Sequence, residues 1–378
     1  MVSKRVSEIP FSGIRRFFDI VSERDDVVSL GVGEPDFPTP DPMKHAGIQS
    51  IEDDLNSYTS NYGLSELREK ISAKLKSENG LSADPKSQLL ITTGTSEALD
   101  LVFRAILDPG DEVIVPEPSY VSYKPCVWFA HSTPVPVPMV EDNEFRVQSD
   151  DIREKITDRT KAIIVASPNN PTGSVLRKKD LESIADLALE HDLMVVSDEL
   201  YEDLIYDGLR HYSIGSFNGM SDNTVTINGF SKGYAFTGWR LGYAAGSSEI
   251  IEAMMKIHQY TMLSAPSVAQ YSALAFDKCG KFVKSMVKEY DVRRRLLVKG
   301  LNEVDGVSCI MPKGAFYAFP NIEGTGLSSE EFARKMLDEK KVAVVPGNSF
   351  GETGEGHVRC SYSVNRETIK EALERMKA

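Results

Sequence analysis

An α/β fold around a mostly parallel sheet is predicted by three features of this 378-residue chain. From Ile91 to Ile227, short apolar runs alternate with stretches of helical period, the pattern of βαβ units. Beyond about Lys288 a long helical stretch gives way to short strands, which reads as a smaller α+β domain. The longest apolar runs, such as Ala162 to Ala166, are far too short to span a bilayer.

The elements follow in order. Leu89 to Ile91 reads as a strand that runs into a Gly-Thr-Ser turn and an amphipathic helix through Leu107. Glu112 to Val115, Ala162 to Val165, Leu193 to Val196 and Thr224 to Ile227 read as further strands, with a helix over Leu181 to Leu189. Leu241 to Ala245 adds another strand. After the helix that ends at Leu301, strands are expected around Phe316 to Phe319, Val342 to Val345 and Val358 to Ser361. Helices near Glu330 to Leu337 and Glu367 to Met376 cover them.

Four segments carry candidate chemistry. Lys232 stands among small residues just after an apolar strand, with Arg240 eight residues on. Burial and a nearby cation lower a lysine pKa and suit it to attack carbonyls; a surface lysine in a Gly-rich loop is the plain alternative. Asp198 falls at the C-terminal end of a strand, where open α/β sheets gather ligands. It could keep a ring nitrogen protonated, with Tyr201 as a donor nearby, or it could be an ordinary helix N-cap. Ser167-Pro168-Asn169-Asn170-Pro171-Thr172-Gly173 is a stiff loop able to present an Asn amide, or simply a turn. Gly94, Thr95 and Ser96 open a helix and could seat a phosphate on free N–H groups and hydroxyls, or cap the helix with nothing bound.

Bulk properties narrow the function. A formal net charge of −13 argues against nucleic-acid binding and means that anionic substrates need local cations. The N-terminus has no long apolar core after its basic residues, so no secretory signal is expected. Cys126, Cys279, Cys309 and Cys360 show no paired spacing, which indicates neither disulfides nor a zinc site and points to a reducing cytoplasm. Lone histidines such as His131 and His258 read as surface or satisfied residues. Arg293-Arg294-Arg295 alternates with acids on a helix and reads as a solvated face. A nicotinamide dehydrogenase should show Gly-x-Gly-x-x-Gly; Gly31-Val32-Gly33 fails it, because Asp36 holds the third glycine's place.

Taken together, Ser231-Lys232…Gly238-Trp239-Arg240, Ser197-Asp198-Glu199-x-Tyr201 and Asn170-Pro171-Thr172-Gly173 resemble the class I/II aminotransferases of the pyridoxal-phosphate fold-type I family. The resemblance runs from Leu30-Gly31-Val32-Gly33-Glu34-Pro35-Asp36-Phe37 to Val358-Arg359 and is strongest to archaeal and bacterial aspartate or aromatic enzymes. It implies a large domain over 46–287, with a mostly parallel seven-stranded sheet and helices on both faces. A small domain with an N-terminal arm would comprise 1–45 and 288–378.

The resemblance also implies roles, with pyridoxal 5'-phosphate as cofactor and no metal. Lys232 would link the cofactor covalently and move the substrate proton; Asp198 would partner the ring nitrogen. Tyr201 and Asn170 would donate to the ring oxygen, and Tyr120 would stack on the ring. Gly94, Thr95, Ser96, Ser231 and Arg240 would hold the phosphate, joined by Tyr58 from a neighbouring subunit in a homodimer. Arg359 would clamp the substrate α-carboxylate, with Asn170 and the close backbone of Gly33. Gly229 departs from the pattern, since many relatives carry a hydroxyl there; Ser231 is the candidate replacement. The implied reaction passes an amino group from an L-amino acid, aspartate or aromatic, to a 2-oxo acid such as 2-oxoglutarate by a ping-pong route. The rival on the same fold is a carbon–sulfur β-lyase. Ile9 to Ile14 is a candidate lid lip or subunit-gripping arm, Arg15 and Arg16 are candidates for a second cation, and Phe316 and Tyr317 are expected in the core near the substrate face.

Overall fold

The computed structural model describes residues 2–9, 11, 24 and 26–378. Ser12 to Arg16, and with them most of the expected lid lip and the candidate second cation, lie outside the described residues. In chain order the strands are β1 (Val28–Ser29), β2 (Leu89–Thr92), β3 (Glu112–Glu117), β4 (Thr133–Pro138), β5 (Thr160–Ala166) and β6 (Met194–Asp198). They continue with β7 (Thr224–Gly229), β8 (Gly242–Ala245), β9 (Tyr317–Ala318), β10 (Val342–Ala343), β11 (Val345–Pro346) and β12 (Val358–Ser361).

Seven strands form one sheet in the order β2-β8-β7-β6-β5-β3-β4. Only β8 runs against its neighbours, pairing antiparallel with both β2 and β7. Helices cover both faces, so alternate residues of a central strand serve different cores. Ala162 and Ile164 pack with the helices Gly94–Ile106 and Ser248–Thr261, whereas Ile163 and Val165 pack with Lys178–Glu190. Each Ile or Val among them contributes roughly 1.5–3 kcal/mol by leaving water.

The sequence gives no strand signal at β4, where prolines occupy positions 134, 136 and 138. The strand forms because it is an edge, paired to β3 alone. Its prolines alternate, so the missing N–H groups all face the unpaired side.

The C-terminal region builds a second core. The long helix Gly280–Leu301 packs with Ser329–Asp338 and Arg366–Lys377 over a three-stranded sheet in the order β11-β12-β9. The expected single strand over Val342 to Val345 is two: β10 pairs in parallel with β1, and β11 pairs antiparallel with β12. The chain's early segment is thereby tied to its late one, with Leu30 N donating to Ala343 O at 2.9 Å.

The basic run on the long helix is not a solvated face. Arg293 and Arg294 are buried, and of the three only Arg295 is exposed. Arg293 forks onto Asp36 at 2.8 and 2.9 Å, and Arg294 reaches Asp207 at 2.8 Å. These acids come from distant segments, which the local charge pattern could not reveal. His258 is fully buried, with Nδ1 2.7 Å from Glu97 Oε1, and the four cysteines are buried free thiols. No helix among the described residues is long and apolar enough to cross a membrane.

Candidate active site

The C-terminal ends of β2, β5, β6 and β7 open on one cavity of about 490 Å³. It is lined by Gly33, Thr95, Ser96, Tyr120, Asn170, Asp198, Tyr201, Ser231, Lys232, Arg240 and Arg359, all expected at a site from sequence. Two expected residues are not in the lining. Gly94 stands directly behind it, and Tyr58 is 83% exposed on the surface of this single chain.

β7 delivers Lys232 through the turn after Gly229. The Lys232 amine donates to Gly33 O at 2.7 Å. Burial brings its pKa down to about 8; Glu34 opposes the fall, while the guanidiniums of Arg359 and Arg240 add to it. The uncharged amine, the form a carbonyl-directed nucleophile requires, is therefore far more populated near neutrality than for an ordinary lysine.

Asp198 is the last residue of β6, and no helix begins there, so it is not a helix N-cap. Tyr123 Oη donates to Oδ2 at 2.8 Å and Leu200 N donates to Oδ1 at 3.2 Å. Burial lifts the carboxyl pKa, and these two donors counter it. A cation facing this carboxylate would find it already oriented.

Arg240 and the helix Gly94–Ile106 form a cationic corner. The Thr93 side chain makes no cap bond to that helix, although Glu97 accepts from Thr93 N, and Thr95 and Ser96 in its first turn line the cavity. Gly94 takes φ +74°, and a Cβ there would fall 2.7 Å from Arg240 Nη2. Arg240 spends one N–H on Thr237 O at 3.2 Å. Free N–H groups at a helix start beside a guanidinium fit a phosphate. Gly229 has a packing reason: a Cβ there would lie 3.0 Å from both Gly242 Cα and Leu241 O, so any larger residue would crowd the backbone of this β7–β8 pairing.

Arg359 comes from β12 and is 2% exposed. It donates to Asn170 Oδ1 at 2.9 Å and to Gly31 O at 2.7 Å, with its guanidinium 4.4 Å from the Tyr317 ring centroid. Its Nε has no partner among the described residues. The Asn170 amide carbonyl is thus used, which leaves its NH2 as the group to present to a ligand. A guanidinium in this setting suits a carboxylate.

Sequence reasoning missed Glu34, Tyr123 and Thr237 as lining residues. Thr237 Oγ1 donates to Glu34 Oε2 at 3.0 Å. Tyr123 opens a short helix, Tyr123–Phe129, and no local motif marks it. Tyr317, expected in the core, is both buried and part of the lining.

Comparison with known proteins places this geometry. The family model for aminotransferase class I and II matches residues 25–376. An aspartate aminotransferase from Pyrococcus abyssi is 49% identical over 378 residues, covering 99% of this chain and 97% of that relative. An aromatic-amino-acid aminotransferase from Thermococcus litoralis is 46% identical, again over 99% of this chain and 97% of the relative. Among solved structures, the aromatic aminotransferase from Pyrococcus horikoshii OT3 has a TM-score of 0.92 at 49% identity, covering 96% of this chain and 97% of that one. The aspartate aminotransferase from Thermus thermophilus with maleate has a TM-score of 0.94 at 39% identity, covering 100% and 99%. These relatives are named for amino-group transfer, and nothing in them favours the carbon–sulfur lyase. The chain belongs to the class I and II aminotransferases and is an amino-group-transferring enzyme.

Proposed function

We propose that the enzyme uses pyridoxal 5'-phosphate, held by Lys232, to pass the amino group of an L-amino acid, aspartate or aromatic, to a 2-oxo acid such as 2-oxoglutarate. One observation carries the reading: a lysine with a pKa near 8 shares a cavity with a buried carboxylate and an arginine-backed helix start. These groups fit an aldehyde, a basic ring nitrogen and a phosphate. When bound, the cofactor supplies a carbonyl that joins amines covalently and a protonated ring that withdraws electrons.

The residues then divide the work. Asp198 holds the ring nitrogen protonated, oriented by Tyr123. Tyr201 and the Asn170 amide would donate to the ring oxygen, and Tyr120 would pack on the ring. Thr95, Ser96, Ser231, Arg240 and the backbone at Gly94 retain the phosphate. Arg359 and the Gly33 backbone hold the substrate α-carboxylate, which fixes the Cα hydrogen relative to Lys232. Lys232 Nζ removes that proton and later gives it up, a task suited to a base whose pKa is near the working pH. Closure of a small domain (1–45 and 288–378) on a large one (46–287) would exclude water.

A homodimer completes the reading. Tyr58 and Tyr260 are 83% and 87% exposed, and Asn61 Nδ2 bonds Leu263 O at 2.7 Å, setting the two segments side by side. Such an exposed aromatic surface suits a second copy, in which Tyr58 would reach the partner's phosphate site.

The test is borohydride trapping after exposure to the cofactor aldehyde. Label on Lys232, lost together with turnover in Lys232→Ala, is the expected result; label elsewhere defeats the proposal. Half-reaction rates with aspartate, alanine, tyrosine and phenylalanine would rank the donors, and product release before the second substrate enters would establish the ping-pong order.

A further inference from the structure

Three parts of the site converge on the side chain of Tyr317. It lies in β9, beside the strand that carries Arg359, with Ser361 as its register partner. Its hydroxyl is 2.9 Å from Tyr201 Oη and 3.4 Å from Gly33 O. The Arg359 guanidinium stands 4.4 Å above its ring centroid. A Cβ on Gly33 would approach Tyr317 Oη to 2.8 Å, so the contact with the carboxylate-facing backbone is close as well.

Either hydroxyl of the pair can be the donor. Gly33 O already accepts from Lys232 at 2.7 Å, and 3.4 Å is long for an O–H donor. Donation from Tyr317 to Tyr201 Oη is the direction that would free the Tyr201 proton for a ligand. A phenol has one proton, and Tyr201 has no other hydrogen-bond partner among the described residues, so in that direction its own proton is left for the cavity.

We infer that Tyr317 is a positioning residue for the amino-transfer reaction: it donates to Tyr201, which turns the Tyr201 proton toward the cofactor oxygen, and its ring supports Arg359. A hydroxyl that accepts one hydrogen bond is a stronger donor in the next. The inference rests on the cofactor reading given above. A donor to the ring oxygen stabilises the ionised oxygen and makes the neighbouring linked nitrogen less basic. The pH midpoint of the cofactor's visible absorbance thus reports the strength of the Tyr201 donation, and mere packing would leave it unmoved.

The experiment titrates that absorbance in wild type, Tyr201→Phe, Tyr317→Phe and Tyr317→Leu, with kcat and KM for each. Tyr201→Phe should raise the midpoint by about one pH unit or more, and Tyr317→Phe by about half a unit in the same direction. Tyr317→Phe keeps the ring under Arg359, so kcat should fall about fivefold while KM for the amino acid changes less than about twofold. Tyr317→Leu removes the ring and should raise KM in addition. A Tyr317→Phe midpoint equal to wild type, with Tyr201→Phe shifted, overturns this inference alone. A wild type with no pH-dependent visible band defeats the cofactor reading, and this inference falls with it.

Discussion

The Tyr123 hydroxyl donates to Asp198 Oδ2 at 2.8 Å across 75 residues of sequence. This bond counters the burial that lifts the carboxyl pKa. Tyr123→Phe removes it, and hydrogen bonds to charged groups contribute about 1.5–3 kcal/mol. The carboxyl pKa should then rise further, so the acidic limb of the kcat–pH profile moves to higher pH and kcat falls about tenfold or more. A profile that overlays wild type would show that Tyr123 only packs.

Arg359→Lys keeps the charge and loses the fork. The ammonium could not serve Asn170, Gly31 and a carboxylate in one plane. KM for the amino acid should rise on the order of 50-fold, with the borohydride label on Lys232 unaffected. Steady-state kinetics across several donors would check that the loss is shared, as expected for a group common to all of them.

Stability of the cofactor-free protein should depend on Lys232 in a defined window. The folded pKa is about 8, whereas an unfolded lysine titrates near 10.4. Between those values the unfolded chain binds more protons, so stability rises with pH. Below the window the buried ammonium is a constant penalty. Lys232→Met removes the titration, so its advantage over wild type at pH 7 should shrink by on the order of 3 kcal/mol by pH 10.5. Paired urea melts at both pH values would measure it; a constant difference would show that burial does not perturb this amine.

Gly300→Ala sets two effects against each other. Within a helix, alanine is preferred to glycine by about 1 kcal/mol. Here the Cβ would fall 2.3 Å from Leu373 Cδ1 of the helix Arg366–Lys377. Overpacking costs about 1–3 kcal/mol and should win. A lower thermal midpoint is the expected outcome.

What the sequence revealed and what it hid divide along chain distance. Lys232, Asp198 and Asn170 follow strands whose apolar runs are plain, and their neighbours in the chain mark them out. Tyr123, Tyr317 and Glu34 matter through partners far along the chain, and a tyrosine carries the same local signal whether it packs or donates. Some helices were legible to within a few residues because their apolar faces repeat every turn, as where Glu330 to Leu337 became Ser329–Asp338, whereas Asp41–Glu52, Ser65–Lys74 and Ser248–Thr261 were not read and the long helix begins at Gly280 rather than near Lys288. β4 was hidden by its prolines, and the division of Val342 to Val345 between two sheets depends on β1, whose two residues carry no pattern of their own. The burial of Arg293 and Arg294 was masked because Asp36 and Asp207 approach only in three dimensions.

The bond from Arg359 to Gly31 spans 328 residues. On the ribosome, a growing chain displays its reactive amine and the carboxylate beside it well before the carboxylate clamp has been made. Domains tend to fold as they emerge, but this pocket has to wait for its last strands. Amino acids crowding the translating machinery therefore meet no competent enzyme until synthesis has passed residue 359.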